Sequence, residues 1–267
     1  MAITRRIDDP DLLKFNELVK NHRWREILHS VKLHSGKTNK NRILYGINSS
    51  SIRYSAIVKI LTELKFPFDK FPELESYYYD SYDLGVSLEK SSTGELNYRI
   101  YFEKNYTTPE MRKMVEKMIA INNTHNFPII KGFKWNIDSP EDIIVTEYDS
   151  LVNYSAKELI DHMKSKSAYV PDFIKKKFSA CADAEAISKN YRPMQAYEIK
   201  TGRMSFDIGF EKGTVYTKDI CDSDMDARYK LNLQEKLAEF NGVSIGHIAT
   251  GKDKNGEDFL TIYYVVQ

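Results

Sequence analysis

One pattern narrows the folds open to this 267-residue chain more than any other: a pair of alternating strands, then an amphipathic helix, recurring along its length. Residues 82–88 place Tyr82, Leu84, Val86 and Leu88 on one face, and after a turn at Ser91-Ser92-Thr93-Gly94 residues 96–102 do the same with Leu96, Tyr98, Ile100 and Phe102. Period-two alternation on both sides of a glycine-containing turn predicts a hairpin. Thr108-Pro109-Glu110 then opens a helix to about Asn122, since proline suits the first helical turn. The order returns with strands over 131–137 and 143–148 around Ser139-Pro140, and a helix entered through a Ser155-x-x-Glu158 capping box. More helix is expected between Pro171 and Ser188. A third hairpin is expected over 204–210 and 214–220, with a helix over 227–240, and a last one over 243–249 and 259–266. Residues 193–200 have no clear place in this order. The first forty residues read as helical, with Asp9-Pro10 as an entry signal, before a strand over 42–48 and a helix over 51–65.

Sequential hairpins, each followed by one helix, do not fit a doubly wound sheet, which needs strand–helix alternation. They fit an α+β architecture: an antiparallel β-barrel of about ten strands ringed by helices, whose closure removes exposed edges. No linker or low-complexity tract divides the chain, so 1–267 reads as a single domain with an N-terminal helical segment over 1–40.

Charge and cysteine content remove several function classes. Lys+Arg is 39 and Asp+Glu 38, a net charge of +1, whereas nucleic-acid and membrane-surface proteins draw affinity from a positive surplus. No apolar run approaches the ~20 residues of a membrane span. The opening residues lack the apolar core of a signal peptide. A cytoplasmic protein with no nucleic-acid and no membrane partner is expected. Cys181 and Cys221 are the only cysteines, and the histidines show no metal-binding spacing, so no metal site is expected. Ser35-Gly36-Lys37-Thr38 looks like the end of a phosphate-binding loop, but Val31 stands where glycine is needed, and a helix rather than a strand is expected before it. Asp222-Ser223-Asp224-Met225-Asp226 begins like a calcium loop, with Ala227 and Leu233 where Gly and Glu are required; acidic residues favouring a helix start account for it.

In such a barrel the apolar face of each strand lies outward, under the helices, and the polar face lines the lumen. Between Tyr98, Ile100 and Phe102 stand Arg99 and Tyr101. The same parity sends Lys134 and Asn136, Thr146 and Tyr148, Tyr216 and Lys218, and Thr261 and Tyr263 inward, with Arg42 joining from the first strand. A ring of cations in a low-dielectric lumen repels itself unless an anion sits among them. Tyrosines beside them can donate to that anion and offer ring faces to a cation. A tyrosine count of 18 against 13 phenylalanines and 2 tryptophans suits a cavity that is aromatic and wet at once, although an AT-rich genome produces the same bias. A solvent-facing sheet would also carry these residue types.

Several stretches in sequence add a family likeness: Asn41-Arg42-Ile43-Leu44-Tyr45, Leu84-Gly85-Val86-Ser87-Leu88 with Leu96-Asn97-Tyr98-Arg99-Ile100-Tyr101-Phe102, Phe127-Pro128-Ile129-Ile130-Lys131-Gly132-Phe133, and Ile245-Gly246-His247 with Leu260-Thr261-Ile262-Tyr263-Tyr264. In this order and spacing they resemble the ABBA prenyltransferases, most of all the peptide-modifying cyanobactin branch of ribosomal-peptide (RiPP) biosynthesis. The resemblance implies a PT barrel of repeated α-β-β-α units. It implies transfer of a dimethylallyl-type group from its diphosphate to a nucleophilic side chain of a peptide, cyclic or linear, or to an aromatic small molecule.

It further implies that Arg42, Arg99, Lys134 and Lys218 hold the diphosphate. Arg99-x-Tyr101 matches the family's basic-x-Tyr pattern and Tyr216-x-Lys218 is its mirror. Lys134 falls where a basic residue is not required, and the chain is short for the family, so one unit is expected to be reduced. Tyr101, Tyr216 and Tyr263 are implied to shield the allyl cation. An acidic lumen residue is implied as the proton acceptor; Asp83 and Glu103 both have the right parity. No aspartate-rich DDxxD motif is present, as in the family, and Mg²⁺ suits the diphosphate as a counter-ion. A non-catalytic barrel binding a small anionic or peptide ligand is the alternative. An RNA-binding or DNA-processing α+β protein is a third reading.

Overall fold

In a computed structural model the chain closes ten antiparallel strands into a barrel and packs helices against its outer face. The structure describes residues 9–34, 37–91, 93–104, 117, 126–166, 168–211, 213–221, 243–253 and 255–266. The strands are β1 (Glu26–His34), β2 (Lys37–Asn48), β3 (Asp83–Lys90), β4 (Leu96–Glu103), β5 (Asn126–Asn136), β6 (Ile144–Leu151), β7 (Pro193–Glu198), β8 (Met204–Gly209), β9 (Ile245–Lys252) and β10 (Asp258–Val265). Each pairs with its neighbours in sequence, and β10 returns to β1. The described helices of at least five residues are α1 (Pro10–Val19), α2 (Tyr54–Glu63), α3 (Leu74–Tyr79), α4 (Ala156–Ser165), α5 (Asp172–Ser179), α6 (Ala184–Tyr191) and α7 (Thr217–Cys221). None among the described residues is long and apolar enough to cross a membrane.

Local chemistry starts these helices where the sequence signals it. The Asp9 carboxylate accepts from the amides of Asp11 and Leu12 ahead of Pro10 at the head of α1, and Ser155 and Glu158 close a capping box on α4. Alternation then sets the two faces of the sheet. Leu84 pairs with Phe102, Val86 with Ile100 and Leu88 with Tyr98, all buried against helices. One position over, Gly85 faces Tyr101 and Ser87 faces Arg99. The apolar core therefore lies outside the barrel. On one side β2–β5 pack against α1 and α2 through Phe15, Ile57, Leu61, Ile100 and Trp135. On the other, β8–β10 pack against α4 and α5 through Leu159, Met163, Phe178, Phe206 and Ile262.

Two expectations are corrected. The segment over 1–40 is not all helical: α1 ends at Val19, and Glu26–His34 is β1. Its outward face carries a polar His29 beside Val31 and Leu33, and its inward face carries an apolar Leu28 beside Ser30 and Lys32, which blurs the alternation. Lys37 and Thr38 of the Ser-Gly-Lys-Thr stretch begin β2, and Ser35 and Gly36 lie outside the described residues.

The third hairpin is also displaced. Residues 214–220 are not a strand. Tyr216 makes a single bridge to Ser244, and the chain turns at once into α7, where the Asp219 carboxylate accepts from the Tyr216 amide. The partner of β8 is instead Pro193–Glu198, the stretch without a place in the sequence reading. Proline is tolerated there because it is the first residue of the strand. The helix expected over 108–122, apart from the helical Lys117, and that expected over 227–240 lie outside the described residues, as do Asp222–Asp226.

The separation of faces is testable. Ile100 is fully buried under the helices, so Ile100→Ala should lower unfolding stability by ~2–5 kcal/mol. Urea denaturation followed by circular dichroism measures it. Binding of an anion in the lumen should change little in this variant.

Candidate functional site

Enclosed by the strands is a cavity of about 1320 Å³ to which all ten contribute. Its two ends differ in charge. At the end made by the hairpin turns, Lys32, Arg42, Arg99, Lys134 and Arg203 line the wall with only Glu89 and Glu198 among them. At the end where strands join helices, Glu26, Asp83 and Glu103 stand with Arg25 and Arg192.

The cationic end is held together by its two carboxylates. Arg99 donates through Nη2 to Glu89 Oε2, and Arg203 Nη1 lies 2.8 Å from Glu198 Oε1. Burial would raise the Glu89 carboxyl, but Arg99, Arg42, Lys134 and Lys32 around it hold it well below the usual carboxylate range. Lys134 sits directly across the strand pair from Arg99. Burial, then Arg99, pushes its ammonium down to about 8, and burial together with Arg203, Arg99 and Lys134 brings Lys32 to about 8 as well, against the pull of Glu89. Arg99 Nη1, Arg42 Nε and Ser87 Oγ are buried with no hydrogen-bond partner among the described residues. Unmade charged hydrogen bonds in a crowd of like charges are what a multivalent anion would relieve.

An aromatic belt adjoins this end. Arg42 reaches into it, donating through Nη2 to the Tyr101 hydroxyl at 2.6 Å and through Nη1 to the Tyr263 hydroxyl. Tyr101 and Tyr148 meet edge to face at 6.1 Å. Tyr101 lies between Gly85 and Gly132, its partners on the two neighbouring strands. A Cβ would stand 3.0 Å from the Tyr101 ring at Gly132 and 3.3 Å from it at Gly85, so a side chain at either position would push the ring off the wall by a few tenths of an ångström. His247 stacks on Tyr263 at 3.7 Å and 21°. Burial, then Arg42 and Arg192, pushes the imidazole down to about 3, so it is neutral at physiological pH. Asp207 completes the belt.

The structure thus brings Arg42, Arg99, Lys134, Tyr101 and Tyr263 into one cavity, as alternation requires. Asp83 and Glu103 also line it, paired with each other across β3 and β4 at the opposite end. Arg25 Nη1 holds Asp83 at 2.7 Å, and burial raises the Glu103 carboxyl. Tyr216 and Lys218 are not there. Lys218 is exposed on α7, 6.0 Å over the Tyr216 ring, and neither touches the cavity, because the strand expected to carry them is absent. Among the described residues, no three His, Cys, Asp or Glu side chains converge to hold a metal ion.

Sequence reasoning missed Lys32, Glu89, Arg203, Asp207 and His247. Parity against Leu88 would have found Glu89, and parity against Phe206 and Ile208 would have found Asp207. Lys32 was hidden by the helical reading of its segment, and Arg203 precedes its strand. A register shift between Tyr263 and Tyr264 places His247 opposite Tyr263 but Ile245 opposite Tyr264, so counting by twos fails at Gly246.

No family model matches the chain and no curated protein matches it. Solved structures do. A 5-dimethylallyl tryptophan synthase from Streptomyces coelicolor, in complex with DMASPP and Trp, superposes with a TM-score of 0.56 at 12% identity over 91% of this chain and 79% of that one. AnaPT from Neosartorya fischeri gives 0.53 at 11% over 90% and 77%. The binary complex of PriB with product diphosphate gives 0.54 at 11% over 90% and 80%. At this identity the likeness establishes the fold: the PT barrel of repeated α-β-β-α units.

The lysines give the site a measurable signature. An anion among them restores their ammonium groups toward the ordinary value, so binding takes up protons wherever they are partly neutral. Sulfate carries a fixed charge over this range. Its binding should take up more protons at about pH 8.5 than at about pH 6.5, where the lysines are already charged and only Asp207 is partly titrated, with affinity falling as pH rises through 8. Titration calorimetry in buffers of different ionisation enthalpy reads this directly, and equal, negligible proton uptake at both values would contradict it.

Proposed function

We propose that this protein is a prenyltransferase, moving a dimethylallyl-type group from its diphosphate to an aromatic or otherwise nucleophilic acceptor. One observation carries the reading: five cations faced by two carboxylates, with guanidinium N–H groups left unpaired, adjoin a belt of three tyrosines inside a closed barrel. The formal surplus of three charges suits a trianionic diphosphate. The structural likeness to prenyltransferases supports it.

The chemistry follows from the placement. The allylic C–O bond breaks with its electron pair leaving on the diphosphate, where Arg99, Arg42, Lys134 and Lys32 stabilise the developing charge and Arg offers paired donors. Tyr101, Tyr148 and Tyr263 turn ring faces toward the allyl cation and keep bulk water from it. Arg42, bonded to two tyrosine hydroxyls, couples the anion site to the belt. Lys218 and Tyr216 take no part. Five cations face the leaving group and, among the described residues, no three His, Cys, Asp or Glu side chains converge on a metal; Mg²⁺ would come as a counter-ion on the diphosphate oxygens, and the steps here are assigned to the side chains alone. The acceptor enters at the end lined by Glu26, Asp83 and Glu103, where a carboxylate can meet it. A peptide acceptor, as in the cyanobactin branch, and a free aromatic compound such as tryptophan are both within this reading.

Incubation with dimethylallyl diphosphate and a panel of tryptophan, linear peptides and cyclic peptides tests it, read by a one-prenyl mass gain and released pyrophosphate. Tight diphosphate binding without release would instead indicate a binding barrel. Retention on nucleic acid with a steep salt slope would favour the third reading.

Arg99→Ala should lower turnover on the order of 10²–10³-fold, the usual consequence of removing one preorganised charged donor, while leaving the fold intact. Tyr101→Phe keeps the ring face and should be the more active of the two. Steady-state assays beside thermal melts settle the order; an Arg99→Ala protein with wild-type turnover would remove Arg99 from the diphosphate site.

A further inference from the structure

Resting on that reading, we propose that Asp207 is the catalytic residue that takes the proton released by the acceptor. Among the described residues, eight carboxylates line the cavity; Glu26, Glu103, Glu185 and Glu211 stand at the end where strands join helices, so the choice for a base at the belt lies among the others. Glu89 is bound by Arg99, Glu198 by Arg203 and Asp83 by Arg25, each within salt-bridge distance, so each is a permanent partner of a cation. Asp207 is 7% exposed, lines the cavity, and accepts no hydrogen bond from any described residue. Its nearest charged-capable neighbour is His247 Nε2 at 3.9 Å, too far for a hydrogen bond.

Its position is the second argument. On β8 it stands between Met194 of β7 and Ala249 of β9, which present no titratable group to it. Facing it are His247 from β9, Tyr263 from β10, Tyr148 from β6, Arg42 from β2 and Arg203 just before β8. That is the aromatic belt, between the cationic end and the acceptor's entrance. Burial lifts the carboxyl from 3.8 to about 7, against the pull of Arg42 and Arg203. Above that pH it is a carboxylate of ordinary basicity for proton transfer near neutrality.

The step balances. The acceptor's electron pair forms the new bond to the allylic carbon, the acceptor's hydrogen leaves as a proton to the Asp207 carboxylate, and the neutral carboxyl later returns it to solvent. Water attacking the same cation yields prenyl alcohol and does not need this base.

The test compares acceptor prenylation with acceptor-free solvolysis of dimethylallyl diphosphate, both followed against pH. At saturating donor, wild-type transfer should rise through about pH 7 while solvolysis lacks that limb, and the loss of anion affinity above about pH 8 should fall on both alike. Asp207→Asn should lose ~10²–10⁴-fold in transfer, lose the limb, and keep solvolysis and pyrophosphate affinity near wild type. Asp207→Asn transferring at wild-type rate, or a limb that vanishes in Glu103→Gln instead, overturns the assignment and leaves the prenyltransferase reading standing. If the Asn variant does not fold, the two wild-type profiles decide, and a limb shared by both overturns it. A wild-type protein that neither transfers nor releases pyrophosphate overturns the reading and this assignment together.

Discussion

Everything in this fold depends on the helices covering the outside of the barrel. The apolar residues of each strand are buried between sheet and helix, as with Ile100 against α1 and α2 and Ile262 against α4 and α5. Burial there supplies the hydrophobic stabilisation without using the interior. A barrel filled by side chains would have no room for a ligand; this one keeps its lumen for polar and aromatic groups, at a cavity volume of about 1320 Å³.

The same arrangement forces a problem of charge. Lys32, Arg42, Arg99, Lys134 and Arg203 share one end of a poorly solvated space. Two carboxylates offset part of the repulsion, and the lysines absorb part of the rest by losing affinity for protons. The remainder is a standing preference for an anion. Repulsion in the empty state and attraction in the bound state are the same free energy seen from two sides, which is why stability and function oppose each other at these positions.

Aromatic and charged parts are coupled rather than adjacent by chance. Arg42 binds the tyrosine hydroxyls, and Tyr101 lies close against the wall between Gly85 and Gly132. Small residues at those two points set the depth of the belt. Asp207 and His247 are on the opposite wall, where burial raises the Asp207 carboxyl to about 7 and holds the His247 imidazole neutral.

How far the sequence reached follows from what each signal measures. Alternation is local, so residues on either side of Ile100 could be assigned to opposite faces without knowing the fold, and Arg99, Tyr101, Lys134 and Tyr263 were legible in that way. The hairpins of β3–β4, β5–β6 and β9–β10 were legible too, because each has a turn between two clean alternating runs. Local signals failed where polarity was mixed, as at Leu28 and His29 in β1, and where a bulge broke the count at Gly246. They failed again at residues 214–220, whose alternation is real but whose Asp219 cap draws the chain into a helix, leaving β7 to pair with β8. Where the alternation is clean, the sequence by itself determined which residues share a face. Only the tertiary structure decided which faces meet, because the register that sets Arg99 beside Lys134, Arg42 beside Glu89 and His247 beside Tyr263 is a pairing between segments that the chain's own neighbours do not encode.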